Sequence, residues 1–195
     1  TCYCQKPLNF WIEDHLVSGF FAFSNPGSDR LLSTWFLVAK PENELIDILY
    51  NNINSFFSDN NYLTPQSYSV RRVFKWLMLK RLLLKKPSLW FSFLFTKLIK
   101  VFPYFWMHYL FGKLYEENNV FKKIWDQTPK LPARARIALK HYGLNNSITD
   151  ELKLKIEEEE LLVFKLTHKF EVDKENDNSI FNYLKNRSLQ NFGDS

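Results

Sequence analysis

The stretch FFAFSNPGSDRLLSTWFLVAKPENELI, residues 20–46, decides how this chain is read. Phe20, Phe21, Ala22 and Phe23 open it with packed aromatics, a Phe-rich strand candidate. Asn25-Pro26-Gly27 is ordinary turn chemistry. An Asp29-Arg30 pair follows, and the chain re-enters apolar sequence through Ser33, Thr34 and Trp35. A core strand has no use for that polar turn, and a surface turn has no use for those aromatics. Leu31, Leu32, Trp35, Phe36 and Val38 fit neither period, so residues 29–39 stand open between a short helix and a strand. Trp35 reads as a core residue.

Outward from this stretch the signals are clearer. Pro41 suits a helix start, with Glu42 and Glu44 at its positive end. Ile46, Leu49, Ile53, Phe56 and Phe57 recur at helical spacing to about Ser58. Residues 67–86 predict a second helix, ended by Pro87. Residues 88–100 and 104–117 read as helical, split by Pro103, and 119–128 as a short helix carrying Phe121 and Trp125. The proline-bearing TPKLPARAR is an extended link. A charged helix follows, then the extended segment LLVFKLTHKF, and Ser179 caps a last helix bearing Ile180, Phe181, Tyr183 and Leu184. At the other end, TCYCQKPL reads as the end of a strand. Cys2 and Cys4 share one face of it as small buried hydrophobes.

Composition bounds the function. With 46% apolar residues and 19 Phe, the chain is not disordered as a whole. Five Gly argue against a glycine-rich phosphate loop. Two Cys exclude a disulfide framework and, with no second Cys or His pair, a zinc site; a reducing compartment is expected. The uncharged runs 88–96 and 101–112 are separated by Lys97 and Lys100, so no membrane span is expected. Residues 67–113 carry ten Lys/Arg and no Asp/Glu, which points to an anionic partner or a membrane surface. Helices dominate, with a few short strands near the two ends. Such a pattern does not complete the sheet of an α/β domain.

The blocks CQKPL, FFAFSNPGSDRLLSTWFLVAK, YFWMHYLFGKLYEENNVFKKIWDQTPKL and FKLTHKF, in this order and spacing, resemble the capsular polysaccharide synthesis glycosyltransferases. These are similar to the metal-dependent mannosyltransferases with a glycosyltransferase A fold. The resemblance covers nearly the whole chain. It implies an α/β fold, here the helix-rich C-terminal portion, with the leading strands missing. Residues 1–195 would be a single partial domain: strands and a helix in 1–66, a basic aromatic helical region in 67–113, and helices with a strand in 114–195. It implies transfer of a hexose from a nucleotide sugar to a glycan or lipid-linked acceptor in bacterial surface polysaccharide synthesis, in the cytoplasm or against the inner face of the membrane. It also implies a divalent cation, manganese or magnesium, held by an Asp motif just ahead of Thr1. The chain itself contains no Asp-x-Asp. Its non-Met start fits a piece of a longer enzyme, and the piece alone is expected to bind metal-nucleotide poorly and to be inactive.

The resemblance also places the opening stretch beside the donor pocket. Its aromatics would be the wall, with Asp29 at the chemistry and Arg30 and Ser33 on the donor; the alternative is a surface turn with a structural Asp29–Arg30 pair. For Asn25 the plain turn is favoured. In FKLTHKF the resemblance makes His168 a catalytic and cation-ligating candidate, and Lys165 and Lys169 donors to the leaving diphosphate; the alternative is a solvated basic strand end. His108, in an aromatic helix, reads as a satisfied core residue. The family often carries an acid where this chain has Pro103, which removes a catalytic carboxylate from that segment. Glu116-Glu117 and Glu157–Glu160 read as solvated faces. Finally, Arg71, Arg72, Lys75, Lys80 and Arg81, interleaved with Trp76, Trp90 and four Phe over residues 67–100, predict a membrane-facing surface in preference to a nucleic-acid patch. The rival to the enzyme is a non-catalytic helical protein that binds membrane or nucleic acid through this region.

Overall fold

A computed structural model describes residues 2–60, 87–100, 102, 104–134, 139–158, 163–166 and 176–193. Helices and short strands are mixed along the chain, and they form two compact units: Leu16–Leu131, and Thr1–His15 with Pro132–Ser195.

The first of these is built on the opening stretch. Strands β2 (Phe20–Gly27) and β3 (Arg30–Ala39) form an antiparallel hairpin, so the open reading of 29–39 resolves to a strand. Both faces of the hairpin are filled. Phe20, Ala22 and Leu32 join one core, and on the other face Phe23 stacks on Trp35 with centroids 5.1 Å apart. The hairpin is irregular. Between the pairs Ala22↔Leu37 and Ser24↔Leu32, Phe23 alone on β2 faces residues 33–36 on β3. This wide bulge erased the two-residue period in the sequence and holds Ser33, Thr34 and Trp35. Asn25 takes φ 51°, a left-handed conformation that Asn tolerates, and the register slips again before Gly27↔Arg30. The reversal itself falls on Ser28-Asp29, one step beyond the expected Asn-Pro-Gly turn.

Helix α1 (Glu44–Ser58) starts later than the proline predicted. Glu42 is left-handed at φ 59° and Asn43 is extended, so Pro41 lies in a turn ahead of the helix. Residues 88–100 split into a tight turn, Pro87–Phe91, and a π-helical segment, Leu94–Ile99. Helices α2 (Trp106–Glu117) and α3 (Asn119–Gln127) meet at Asn118. Its N–H closes α2 on Leu114 O (2.9 Å), while its Oδ1 accepts the Phe121 N–H (2.9 Å) and caps α3. Leu45 and Leu49 of α1, Leu110, Phe111 and Leu114 of α2, and Phe121 and Trp125 of α3 close over the hairpin. The link after α3 is tied down by Ser24, whose N–H (2.8 Å) and hydroxyl (3.2 Å) both donate to Leu131 O.

In the other unit β1 (Cys2–Cys4) pairs antiparallel with β4 (Val163–Lys165), with Tyr3 opposite Phe164. Among the described residues this sheet has two strands. Tyr3 and Phe164 pack with Leu139 of α4 (Leu139–Tyr142), Leu152 and Ile156 of α5 (Asp150–Glu158), and Ile180 and Leu184 of α6 (Ile180–Gly193). As expected, Ser179 caps α6, its hydroxyl accepting the Asn182 N–H at 3.2 Å. Cys2 and Cys4 do share a face, but it is the outer one: Cys2 is exposed and Cys4 half-buried, because Tyr3 takes the inward position. Glu157 is not merely a solvated charge. Its Oε1 accepts from Tyr183 (2.7 Å) and Arg187 (3.0 Å), tying α5 to α6.

Candidate functional site

The polar reversal at Ser28-Asp29 is set against the start of α2. Gly27 is the residue that permits this. A Cβ there would fall on the Arg30 guanidinium and lie 2.9 Å from Asp29 Oδ1. Without it, the Arg30 side chain folds back, and its Nε donates to Asp29 Oδ1 at 3.0 Å. The guanidinium also lies over the Phe105 ring, 4.0 Å from its centroid. Four positions on, Tyr109 points the same way and donates its hydroxyl to Asp29 Oδ2 at 2.8 Å. His108 stands edge-on to Phe105 and reaches the bulge, its Nε2 3.4 Å from Thr34 Oγ1. Asp29, Arg30, Thr34, Phe105, His108 and Tyr109 thus form one constellation, with Ser33 buried in the same bulge.

Its charges are fixed by their surroundings. Burial works against the Asp29 carboxylate, yet the Tyr109 hydroxyl and the Arg30 guanidinium together hold it below the usual carboxylate value. Burial, and then the bond to Asp29, push the Tyr109 phenol well above the usual tyrosine value. At neutral pH the arrangement is a carboxylate gripped by a cation and a neutral phenol. Arg30 spends its Nε on Asp29 and sits over Phe105, which restrains the planar guanidinium that carries its Nη groups. That is the fork geometry suited to phosphate or carboxylate oxygens.

A divalent cation is a different matter. Among the described residues no three of His, Cys, Asp and Glu come together. Both oxygens of Asp29 are already engaged by Arg30 and Tyr109, and no second carboxylate joins them. The described residues therefore do not make a hard-cation site.

Of the residues singled out in the sequence, Asp29, Arg30 and Ser33 come together on the hairpin. Lys165 belongs to the other unit, half-buried at the end of β4 opposite Cys2. His168, Lys169, Arg71, Arg72, Lys75, Lys80, Arg81 and Pro103 lie outside the described residues. Trp35, read from the sequence as core, lies in the bulge and is only half-buried. Sequence reasoning missed Tyr109 and Phe105. Their signal was the spacing in YFWMHYLF, which places Phe105, His108 and Tyr109 on one helical face. Compared with known proteins, the chain matches no family model, no curated protein and no solved structure.

Proposed function

We propose that the chain is the C-terminal portion of a glycosyltransferase with a glycosyltransferase A fold, one that moves a hexose from a nucleotide sugar to a glycan acceptor in surface polysaccharide synthesis. The observation that carries this reading is the Asp29–Arg30–Tyr109 constellation, an oriented guanidinium at the foot of an aromatic hairpin. In sugar transfer the bond from the anomeric carbon to the diphosphate oxygen breaks, a bond to an acceptor hydroxyl forms, and negative charge collects on the leaving diphosphate. A fixed cation aimed at those oxygens stabilises that charge. In this reading Arg30 meets the diphosphate, Asp29 and Tyr109 hold Arg30 in place, and the half-buried Thr34 hydrogen-bonds a sugar hydroxyl beside Trp35, while Ser33 and Phe23, both buried, support the bulge from within and not the sugar. The cation is not assigned to these residues. By the resemblance, its carboxylates lie ahead of Thr1.

The test is turnover of nucleotide sugars by the complete gene product, screened across donors with added manganese. Release of nucleoside diphosphate from at least one donor is expected. The Arg30→Ala variant should lose about a hundredfold or more of that rate, the scale of removing one preorganised charge-stabilising donor. Absence of turnover with every donor, or an Arg30→Ala variant as fast as the parent, would contradict the proposal.

A further inference from the structure

We propose that Leu89, Phe93, Leu94, Leu98 and Tyr104 form a docking face for an anionic membrane surface. This goes beyond the transferase reading and does not depend on it. The segment from Pro87 to Ile99 is apolar on two sides at once. Its inward side is accounted for: Trp90 and Phe95, with centroids 5.0 Å apart, are buried with Tyr109. Its outward side is not. Phe93 is 68% exposed and Leu98 65%, with Leu89 and Leu94 also open to solvent, and Tyr104, five positions beyond the segment, is 86% exposed. Single exposed apolar residues are normal on any protein, but a run of them on one short segment marks a surface that is covered in use.

Charge selects the occupant. Lys97 and Lys100 lie exposed within this run, and residues 67–113 contain no Asp or Glu. Lys97 also donates to the Asp59 carbonyl, which anchors the segment to the end of α1. A second copy of the chain seated on this face would bring its own lysines against these. Protein interface cores, for their part, are depleted in lysine. Anionic phospholipid headgroups instead attract the two ammonium groups, while Phe93, Leu94 and Leu98 enter the acyl boundary and Tyr104 sits at headgroup level. No helix among the described residues is long and apolar enough to cross a membrane, so the contact lies on the surface.

Cosedimentation of the chain with vesicles tests this. Vesicles of phosphatidylcholine with phosphatidylglycerol should be bound, vesicles of phosphatidylcholine alone much more weakly, and added salt should release the protein. The double variant Phe93→Ser, Leu98→Ser should bind about tenfold or more weakly, from the apolar area withdrawn. Tyr104→Ser alone should weaken binding in the same direction. Tyr50→Ser, at a tyrosine that is also exposed (62%) but on α1, should not. All four proteins are compared by circular dichroism, and since every substituted side chain is exposed they should share one spectrum. Four outcomes would overturn the proposal: no vesicle binding, equal binding to neutral vesicles, full binding by the double variant, or a dimer that the double variant dissociates without any vesicle binding. Loss of vesicle binding with donor turnover intact would remove this inference alone.

Discussion

Asp29 is where sequence and geometry meet most closely. Its carboxylate is held below its unfolded value, so the stability it contributes is complete above the unfolded carboxylate range and lost as pH falls through the lower folded value. The stability difference between the parent and Asp29→Asn, followed by urea unfolding, should be largest near neutral pH and shrink below about pH 4. A difference that persists undiminished at pH 2 would show that the carboxylate is not held as described. Tyr109→Phe removes one bond to a charged group and should cost about 1–2 kcal/mol without altering the fold. Gly27→Ala is more selective, because its Cβ collides with the far end of a flexible side chain. It should displace the Arg30 guanidinium from Phe105 and lower donor turnover several-fold at nearly unchanged stability. Asp29 and Arg30 were visible in the sequence as a polar pair inside an aromatic run. Tyr109 was not, because its partner lies 80 positions away and nothing local marks a tyrosine as a carboxylate's donor.

Among the elements, those read best were the ones with a clean period and a cap. Helix α6 follows its Ser179 cap, and α3 follows the Phe121 and Trp125 pattern. Asn118 serves two helices at once, so Asn118→Ala should destabilise the protein by about 1 kcal/mol in urea unfolding, and Asn118→Asp by less, since the carboxylate restores the cap. A loss much above that would mean the residue does more than close two helices. Residues 29–39 could not be read because the bulge at 33–36 breaks strand alternation at the positions that would have shown it. The start of α1 was misplaced for a related reason. Proline fixes its own φ, but Glu42 and Asn43 bend the chain twice more before the first helical turn. Residues 88–100 wind mostly in the helical sense that their sequence predicts. Their tight turn and π-helical form leave no trace in the hydrophobic pattern.

For the molecule as a whole, the mixture of helices and short strands was legible in the sequence, while the assembly into two compact units was not. The closing of Thr1–His15 onto Pro132–Ser195 rests on the long-range pairing of Tyr3 with Phe164, which no window of sequence contains. Each unit has its own core. Phe121, fully buried between Phe111 and the other aromatics over the hairpin, is a sensitive probe of one of them. Phe121→Ala should cost about 3–5 kcal/mol by urea unfolding, and a loss under 1 kcal/mol would mean that this core is not packed as described. Sugar transfer is the proposed role of the oriented Arg30 at the foot of the hairpin. It is tested most directly by nucleoside diphosphate release from nucleotide sugars by the complete gene product with manganese, comparing the parent with Arg30→Ala. At least one donor should be turned over by the parent, and about a hundredfold or more slowly by the variant at unchanged circular dichroism. A parent that turns over no donor, or a folded variant as active as the parent, would contradict it.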